Sequence, residues 1–283
     1  MIKFGLKQKS ILDKFDILEF QRIGMPESNP KSQLRSTSYC RIFAETSDPN
    51  VNLGLASLLV DFAMQHYSGF HSTMDHRTAI PKPYLSFYPA IWPQNKLQTA
   101  INILESGETR TLPITPPPKS EEIGKRQSYE TANPVDLQSF GSTTRARLGD
   151  VVLARSGDKG GNANIGFFIP TSLPSSYPHS SPLYTESWNW LRSFLTMPKL
   201  KEMFGESWSD SFFVERVEFE GIMAVHFVVY GVLGRGISGS SRLDAFAKGM
   251  GDWLRDVEVE VPMKFLEERV KGKAVAGRCS GEA

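Results

Sequence analysis

The pattern of apolar and polar positions predicts two short strands near the N-terminus. Residues 16–23 have the composition of a strand, and in residues 36–45 Cys40, Ile42 and Ala44 alternate with their neighbours at a period of two. The sequence Ser47-Asp48-Pro49 then combines a capping residue with a proline in the first turn, which indicates the start of a helix. Apolar side chains follow at helical spacing, so this pattern predicts a helix that runs to about Tyr67 and is capped by Gly69.

The pattern weakens in the middle of the chain. Residues 80–90 are aromatic but are interrupted by prolines, which restrict them to an edge strand or an extended loop. Residues 96–104 are consistent with one more strand. Residues 105–146 are polar and rich in proline, with few candidates for a core, and we interpret them as a linker between a first unit (1–104) and a second one.

The second unit, residues 147–269, contains hairpins separated by helices. Its predicted elements are, in order, a strand at 149–154, a loop at 155–162, a strand at 164–169, a helix near Thr185 that Pro198 interrupts, a hairpin of 212–219 and 222–232 around Glu220-Gly221, a helix from Ser240 or Ser241, and a strand at 257–261. This order predicts the α+β class, with helices on one face of a mostly antiparallel sheet. Residues 270–283 are predicted to be a disordered tail.

Charge, cysteine content and hydropathy argue against several classes of protein. With 32 Lys+Arg and 31 Asp+Glu the chain is almost neutral, which disfavours a general nucleic-acid binder. Cys40 and Cys279 form no CxxC pair, so the sequence offers neither a zinc ribbon nor a thioredoxin-like site. Because it also shows no membrane-length apolar run and no signal-peptide pattern, we expect a cytoplasmic protein with no membrane partner.

The richest group of polar residues is the loop predicted after the first strand of the second unit. Its glycines can let backbone N–H groups converge on an anion, and its two cations add positive charge. Asp158 and Lys159 are the candidate acid–base pair. The candidate ligand-binding residues here are Arg155, Ser156, Gly157, Gly160, Gly161, Asn162 and Asn164. The alternative interpretation is a tight turn with a surface ion pair.

A second glycine-rich loop contains a literal GxGxxG between Gly234 and Gly239. That fingerprint belongs in a parallel βαβ unit, whereas the strands before it are predicted to be antiparallel, so a dinucleotide site is the weaker hypothesis. A helix starting at Ser240 or Ser241, with Asp244 completing a capping box, would instead bind a phosphate or carboxylate, or would simply follow a glycine hinge. The candidate residues here are Arg235, Gly236, Ser238, Ser240 and Arg242.

Other reactive side chains have simpler explanations. His66, His71 and His76 are five residues apart, which does not align them on one helix face, and we predict no metal and no bound cofactor. His226 lies within an apolar strand and is interpreted as a core histidine. The tryptophans at 188, 190 and 208 could line a pocket for an isoprenoid chain, although packing in the core is the better expectation.

Three segments together resemble the signature of a known family. They are Leu148-Gly149-Asp150, the run from Ala154 to Gly160, and Asn162-Ala163-Asn164-Ile165-Gly166; the later segment 236–249 is similar to the closing loop and helix of the same domain. This is the acyclic terpene utilisation (AtuA) family. The resemblance implies a C-terminal ferredoxin-like domain over about residues 147–256. Residues 1–104 resemble the end of the family's large N-terminal α/β domain, most of which has no counterpart here, so the resemblance implies a truncated homologue.

The resemblance implies an area of metabolism, but it does not specify the reaction. It suggests the catabolism or modification of acyclic isoprenoid or branched acyl-CoA compounds, with a CoA thioester or carboxylate as the anionic ligand at the glycine loops. If the chain is an enzyme, the expected activity is lyase- or hydratase-like or is associated with a carboxylase. The alternatives are a non-catalytic accessory module that assembles with an acyl-CoA carboxylase-type partner or with the missing N-terminal domain, and a dinucleotide-binding oxidoreductase. We also expect a homo-oligomer.

Overall fold

The structure is a computed structural model that describes residues 1–64, 70–71, 75–93, 96–112, 119, 121–122, 124, 126–170 and 182–267. The chain divides into two compact units, residues 1–86 and 87–283. The end of the first predicted helix near Tyr67, its cap Gly69 and the predicted tail 270–283 lie outside the described residues.

The first unit packs helices against a two-stranded sheet. Its elements are α1 (Ile2–Gln8), β1 (Ile17–Ile23), β2 (Tyr39–Glu45), α2 (Pro49–Asp61) and the short α3 (His76–Ala79). Strands β1 and β2 pair antiparallel. Leu6, Leu55 and Leu58 form the buried centre of this unit. Both predicted strands and the helix start are therefore confirmed, while α1 was not predicted.

Helix α2 begins as the capping pattern predicts. Asp48 is its N-cap residue and accepts a hydrogen bond from the backbone N–H of Asn50, with Pro49 in the first turn. The helix ends at Asp61, earlier than expected. It approaches α1 closely, because a methyl group added at Gly5 would overlap the side chain of Leu58.

The described residues of the second unit form three small sheets and three α-helices. Its strands are β3 (Thr99–Ile103), β4 (Glu108–Leu112), β5 (Thr143–Arg147), β6 (Leu153–Lys159), β7 (Asn162–Phe168), β8 (Phe213–Phe219), β9 (Ala224–Tyr230) and β10 (Glu258–Pro262). Its helices are α4 (Pro182–Phe194), α5 (Met197–Phe204) and α6 (Met250–Arg255). The largest sheet has the order β6-β7-β9-β8, with every neighbouring pair antiparallel.

One face of the four-stranded sheet forms the core. The alternate residues of the two central strands are almost completely buried, and they pack with Leu191 of α4, Leu200 of α5 and Leu254 of α6. These strand residues are Ala163, Ile165 and Phe167 on β7 and Val225, Phe227 and Val229 on β9. The α+β class, with helices on one face of an antiparallel sheet, is therefore confirmed.

The connections explain why these elements form where they do. The helical region is interrupted before Pro198, as predicted: Thr196 caps α5, Pro198 lies in its first turn, and Gly205 ends it with a φ of +51°. The predicted hairpin of β8 and β9 is also present, with Met223 in the left-handed region.

Trp188 and Trp190 are buried in the core rather than lining a pocket. Over the described part of the chain, no helix combines the length and the apolarity needed to cross a membrane.

The interpretation of residues 105–146 as a linker with few core contacts needs correction. It contains β4 and most of β5, which pairs with β10. Phe140 is buried in the main core. The segment is anchored still earlier, because the backbone N–H of Tyr129 donates to the carbonyl of Arg216.

The predicted helix from Ser240 or Ser241 is wrong, since the α-helix of this region, α6, begins only at Met250. Leu243 and Phe246, two large apolar side chains within the predicted helix, are 67% and 52% exposed. The Asp244 carboxylate accepts from the backbone N–H groups of Lys248 and Gly249, which competes with helical hydrogen bonding. Ala247 also has a φ of +50°, which no helix accommodates.

Candidate functional site

The first polar segment forms an edge hairpin rather than a loop. Residues 155–159 belong to β6, which pairs with β7 from Leu153↔Phe168 to Lys159↔Asn162, so the predicted loop at 155–162 is wrong. Only Gly160 and Gly161 connect the strands. Gly160 has a φ of +65°, which suits the first central position of a type II′ turn, and glycine is the usual residue there.

The turn of this hairpin packs against the second glycine-rich loop. The backbone N–H of Leu233 donates to the Gly161 carbonyl at 3.0 Å. A methyl group at Gly161 would overlap the carbonyl oxygen of Gly234, and one at Gly160 would overlap the ring of Phe87. The backbone N–H of Phe87 in turn donates to the Arg235 carbonyl. The two loops predicted to form the site are therefore neighbours, and glycine is required where they touch.

Several polar side chains of the second loop have structural roles. Arg242 donates to the carbonyls of Val232 and Ser207, and its guanidinium lies 5.2 Å from the Phe212 ring centre. Buried Ser240 accepts from the backbone N–H of Arg242. These bonds hold the loop in place, whereas Ser238 is exposed.

Gly236 and the rest of the GxGxxG sequence do not form a dinucleotide site of the expected type. The strand before them, β9, is antiparallel to both of its neighbours, and no helix starts directly after Gly239. The fingerprint requires a parallel βαβ unit with a helix N-terminus at the pyrophosphate. Gly236 instead lies close to the Gly160 carbonyl and to Phe87.

Strand alternation divides the predicted residues of β6 between the two faces of the sheet. Ser156 pairs with Ile165 and Asp158 with Ala163, so both side chains are on the face that carries the helices. The Ser156 hydroxyl accepts from the backbone N–H of Gly251 at 2.8 Å and thereby fixes the start of α6. Asp158 and Lys159 consequently point to opposite sides, which separates the predicted acid–base pair.

The face opposite the helices, which we call the open face, collects the remaining predicted residues. Arg155, Lys159, Asn162 and Asn164 all lie on it, according to the register of β6 and β7. Two glycines leave a gap among these side chains: Gly157 opposite Asn164, and Gly166 opposite Arg155. The open face thus has a bare stretch of backbone surrounded by amides and cations.

Lys248 reaches this gap, although the sequence did not indicate it. A methyl group at Gly157 would lie 3.1 Å from the Lys248 ammonium nitrogen and 3.7 Å from Asn164 Oδ1. The turn held by Asp244, with its left-handed Ala247, presents Lys248 at this position. A positive φ at a non-glycine residue costs about 1–3 kcal/mol and is typical of functional sites.

Within the described ranges, the cations at the gap have no carboxylate partner. Among the described residues, no ion pair involves Arg155, Lys159 or Lys248, and the Lys159 ammonium donates only to the carbonyl of Asp158. Asn164 Oδ1 is buried and lacks a hydrogen-bond partner within the same part of the chain. Unpaired cations beside an unsatisfied amide are a suitable environment for an anionic ligand that also carries a donor.

His226 is also on the open face, in β9, opposite Gly166 of β7 and Val217 of β8. It was interpreted from the sequence as a core residue, but it is only partly buried. Burial lowers the pKa of His226, and the positive charges of Arg126 and Lys159 lower it further. The imidazole is therefore neutral at pH 7.

This pKa shift predicts a pH-dependent stability. Because the pKa of His226 is below its ordinary value of about 6.5 in the folded chain, the unfolded chain binds more protons just below that pH. The free energy of unfolding should therefore fall as the pH drops through about 6.5. It should stop falling once the pH is below the pKa of His226 in the folded chain. Urea titrations of the wild type and His226→Gln between pH 5 and 8 measure this. A steeper dependence in His226→Gln would contradict the expectation.

The comparison with protein families finds two matching regions. Residues 146–260 match the model of the AtuA ferredoxin-like domain, and residues 1–103 match the model of the acyclic terpene utilisation family protein AtuA. Together the matches cover about three quarters of the chain. The chain therefore belongs to the acyclic terpene utilisation family, and its second unit carries that family's ferredoxin-like domain. Neither the curated proteins nor the solved structures contain a match to it.

Proposed function

We propose that this chain binds an anionic acyl compound, a CoA thioester or a related carboxylate, on the open face of its four-stranded sheet. The observation that carries the proposal is the glycine gap at Gly157 and Gly166, surrounded by Arg155, Lys159 and Lys248, three cations that pair with no carboxylate among the described residues. Glycines permit close approach of a ligand to the backbone. The cations can bind phosphate or carboxylate oxygens, and the amide of Asn164 can orient a neighbouring polar group.

Family membership supports a particular class of acyl group. A family of acyclic terpene utilisation suggests an isoprenoid or other branched acyl chain, in catabolism or modification of such compounds. Apolar side chains border the polar gap, because Val217 and Val228 share the open face with His226. A ligand with an anionic end and a branched apolar end would match both parts of this surface.

A second candidate function is a non-catalytic module that assembles with an acyl-CoA carboxylase-type partner. It is favoured by the exposed apolar side chains before β3: Tyr88 is 86% exposed, Ile91 99% and Trp92 65%. Single exposed apolar residues are common, but a short stretch of large ones is more typical of a protein-binding surface. Both functions are compatible, since they are assigned to different residues.

Calorimetric titration with a panel of CoA thioesters tests the main proposal. The panel includes geranyl-CoA and isovaleryl-CoA, with free CoA and isovalerate separating the contributions of the two ligand ends. We expect the double variant Arg155→Ala/Lys159→Ala to raise Kd about 100-fold, because a hydrogen bond to a charged group contributes about 1.5–3 kcal/mol.

A matched double variant controls for the loss of two positive charges. Arg145 lies on β5, outside the four-stranded sheet, and Lys201 lies on α5 beside Trp208. Arg145→Ala/Lys201→Ala should leave Kd within about threefold of the wild type. Equal weakening by both double variants would show a general charge effect. Failure of the folded wild type to bind any thioester would leave the accessory-module function as the better account.

A further inference from the structure

His226 lies in the middle of the open face, beside the gap proposed to hold the ligand. Its strand partners are Gly166 on one side and Val217 on the other. Because Gly166 has no side chain, the edge of the imidazole faces the gap, and a methyl group there would be 3.7 Å from His226 Cδ2. The Phe219 ring, 5.8 Å away between centroids, limits the opposite side of the imidazole.

The imidazole has no hydrogen-bond partner in the described part of the chain. Neither ring nitrogen is among the buried side-chain atoms that lack a partner, so both are accessible from the open face. A histidine retained only for packing would normally satisfy a ring nitrogen with a carbonyl or hydroxyl. Here apolar neighbours position the ring, and the described residues leave both ring nitrogens able to bond to a ligand.

The charged groups around His226 favour its neutral form. Arg126 and Lys159 face it with positive charge. The carboxylate nearest in register, Glu215 on β8, is already engaged by Arg126 at 2.9 Å and by the Tyr230 hydroxyl at 2.8 Å. It is therefore not available to stabilise an imidazolium in the resting chain. A neutral imidazole near cations can accept a proton when negative charge develops beside it.

We propose that His226 is a general base that removes the proton from the carbon next to the thioester carbonyl of an acyl-CoA bound on the open face. This inference rests on the proposed function. In the step, the Cα–H bond breaks and an N–H bond forms on the imidazole. The electron pair of the C–H bond becomes the enolate, with its negative charge on the thioester oxygen. Return of the proton to the same carbon restores the acyl-CoA, so the step needs no other reactant.

The surrounding cations explain how such a step could occur at neutral pH. Lys248 and Arg155 border the same gap and can stabilise the enolate oxygen, while the developing imidazolium and the enolate offset each other. The proposal also gives a role to the bare backbone at Gly166, since any side chain there would separate the imidazole from the ligand.

Exchange of the α-protons with solvent tests this step directly. Wild-type chain is incubated with isovaleryl-CoA in D₂O, and loss of the α-methylene signal is followed by proton NMR. We expect exchange well above the buffer rate in the wild type and a decrease of about 100-fold or more in His226→Gln, because general bases contribute about 10²–10⁴-fold. His71→Gln, an exposed histidine of the first unit, is the matched control and should exchange like the wild type.

Binding measured on the same samples separates the two proposals. In calorimetry, His226→Gln should keep its Kd for isovaleryl-CoA within about threefold while losing exchange. Added imidazole should restore part of the exchange in His226→Ala, which a purely structural role would not allow. Binding by the wild type without exchange, or undiminished exchange in a folded His226→Gln, would overturn the role of His226 and leave the proposed function standing. Absence of binding by the wild type would overturn both.

Discussion

Replacing Arg216 by methionine should lower the free energy of unfolding by about 3–5 kcal/mol, the usual cost of removing one partner of a buried ion pair. Arg216 lies on β8, faces the core and is completely buried. Its guanidinium pairs with Glu218 at 2.9 Å and donates to the carbonyls of Leu195 and Arg192, at the C-terminal end of α4. Methionine fills a similar volume but leaves these acceptors unsatisfied.

Arg216 also explains how the polar segment before β5 is held. Its guanidinium donates to the Tyr129 carbonyl and to the Thr131 hydroxyl, while Glu130 accepts from the backbone N–H of Met197. One buried cation thus joins a strand, a helix end and an extended segment. Because those groups are desolvated, their bonds cost more to lose than surface bonds do.

Chemical denaturation of Arg216→Met and of a control, Arg145→Met, measures this effect. Arg145 is exposed and its closest ion pair, with Glu258, is 3.5 Å long, so its loss should change stability by less than about 1 kcal/mol. A second variant, Arg216→Met/Glu218→Gln, removes the stranded carboxylate and should recover part of the loss. A loss below about 1 kcal/mol in Arg216→Met would contradict the role assigned to this network.

Gly161→Ala should destabilise the second unit by about 1–3 kcal/mol and also weaken ligand binding. The added methyl group would meet the Gly234 carbonyl oxygen, which is backbone and cannot rotate away. Relief of the overlap requires the hairpin turn and the second glycine-rich loop to separate, which strains the hydrogen bond from Leu233 to Gly161. Since β6 carries Arg155 and Lys159, that movement would misplace the proposed cations.

Gly221→Ala is the matched control for this substitution. Gly221 is also in a hairpin connection, between β8 and β9, but a methyl group there meets nothing within 4 Å, and its φ is not in the left-handed region. In thermal unfolding and calorimetry, Gly161→Ala should show the lower stability and the weaker ligand binding, and Gly221→Ala should resemble the wild type. Equal stability of Gly161→Ala and Gly221→Ala would show that the close approach of the two loops is not required.

The patterns that depend on local chemistry predicted the fold well. The capping sequence at Asp48, the proline and glycine that bound α5, and the β-branched strands of the second hairpin each determine structure within a few residues. The start of α6 was predicted too early because Asp244 was interpreted as part of a capping box. Its carboxylate does accept from backbone N–H groups, but these belong to Lys248 and Gly249 in a turn before the helix.

The candidate site was predicted as a set of residues but not as an arrangement. Interpreting 155–159 as a loop concealed the alternation that sends Ser156 and Asp158 to one face and Arg155 and Lys159 to the other. Gly157 within the strand and Gly160 directly after it, among charged residues, led to that interpretation. Lys248 and His226 could not be found, because only the pairing of distant strands and a left-handed turn bring them to the open face.

The claim that an acyl thioester binds at the glycine gap is tested by a ¹H–¹⁵N NMR titration of the labelled chain with isovaleryl-CoA. We expect the largest shifts on the backbone amides of Gly157, Gly166 and Asn164, with the Asn164 side-chain amide among them. They should be absent when Arg155→Ala/Lys159→Ala is titrated at the same concentrations. Shifts concentrated instead at Ser238–Arg242, or on the exposed apolar residues near Ile91, would contradict the claim and place the ligand on a different surface.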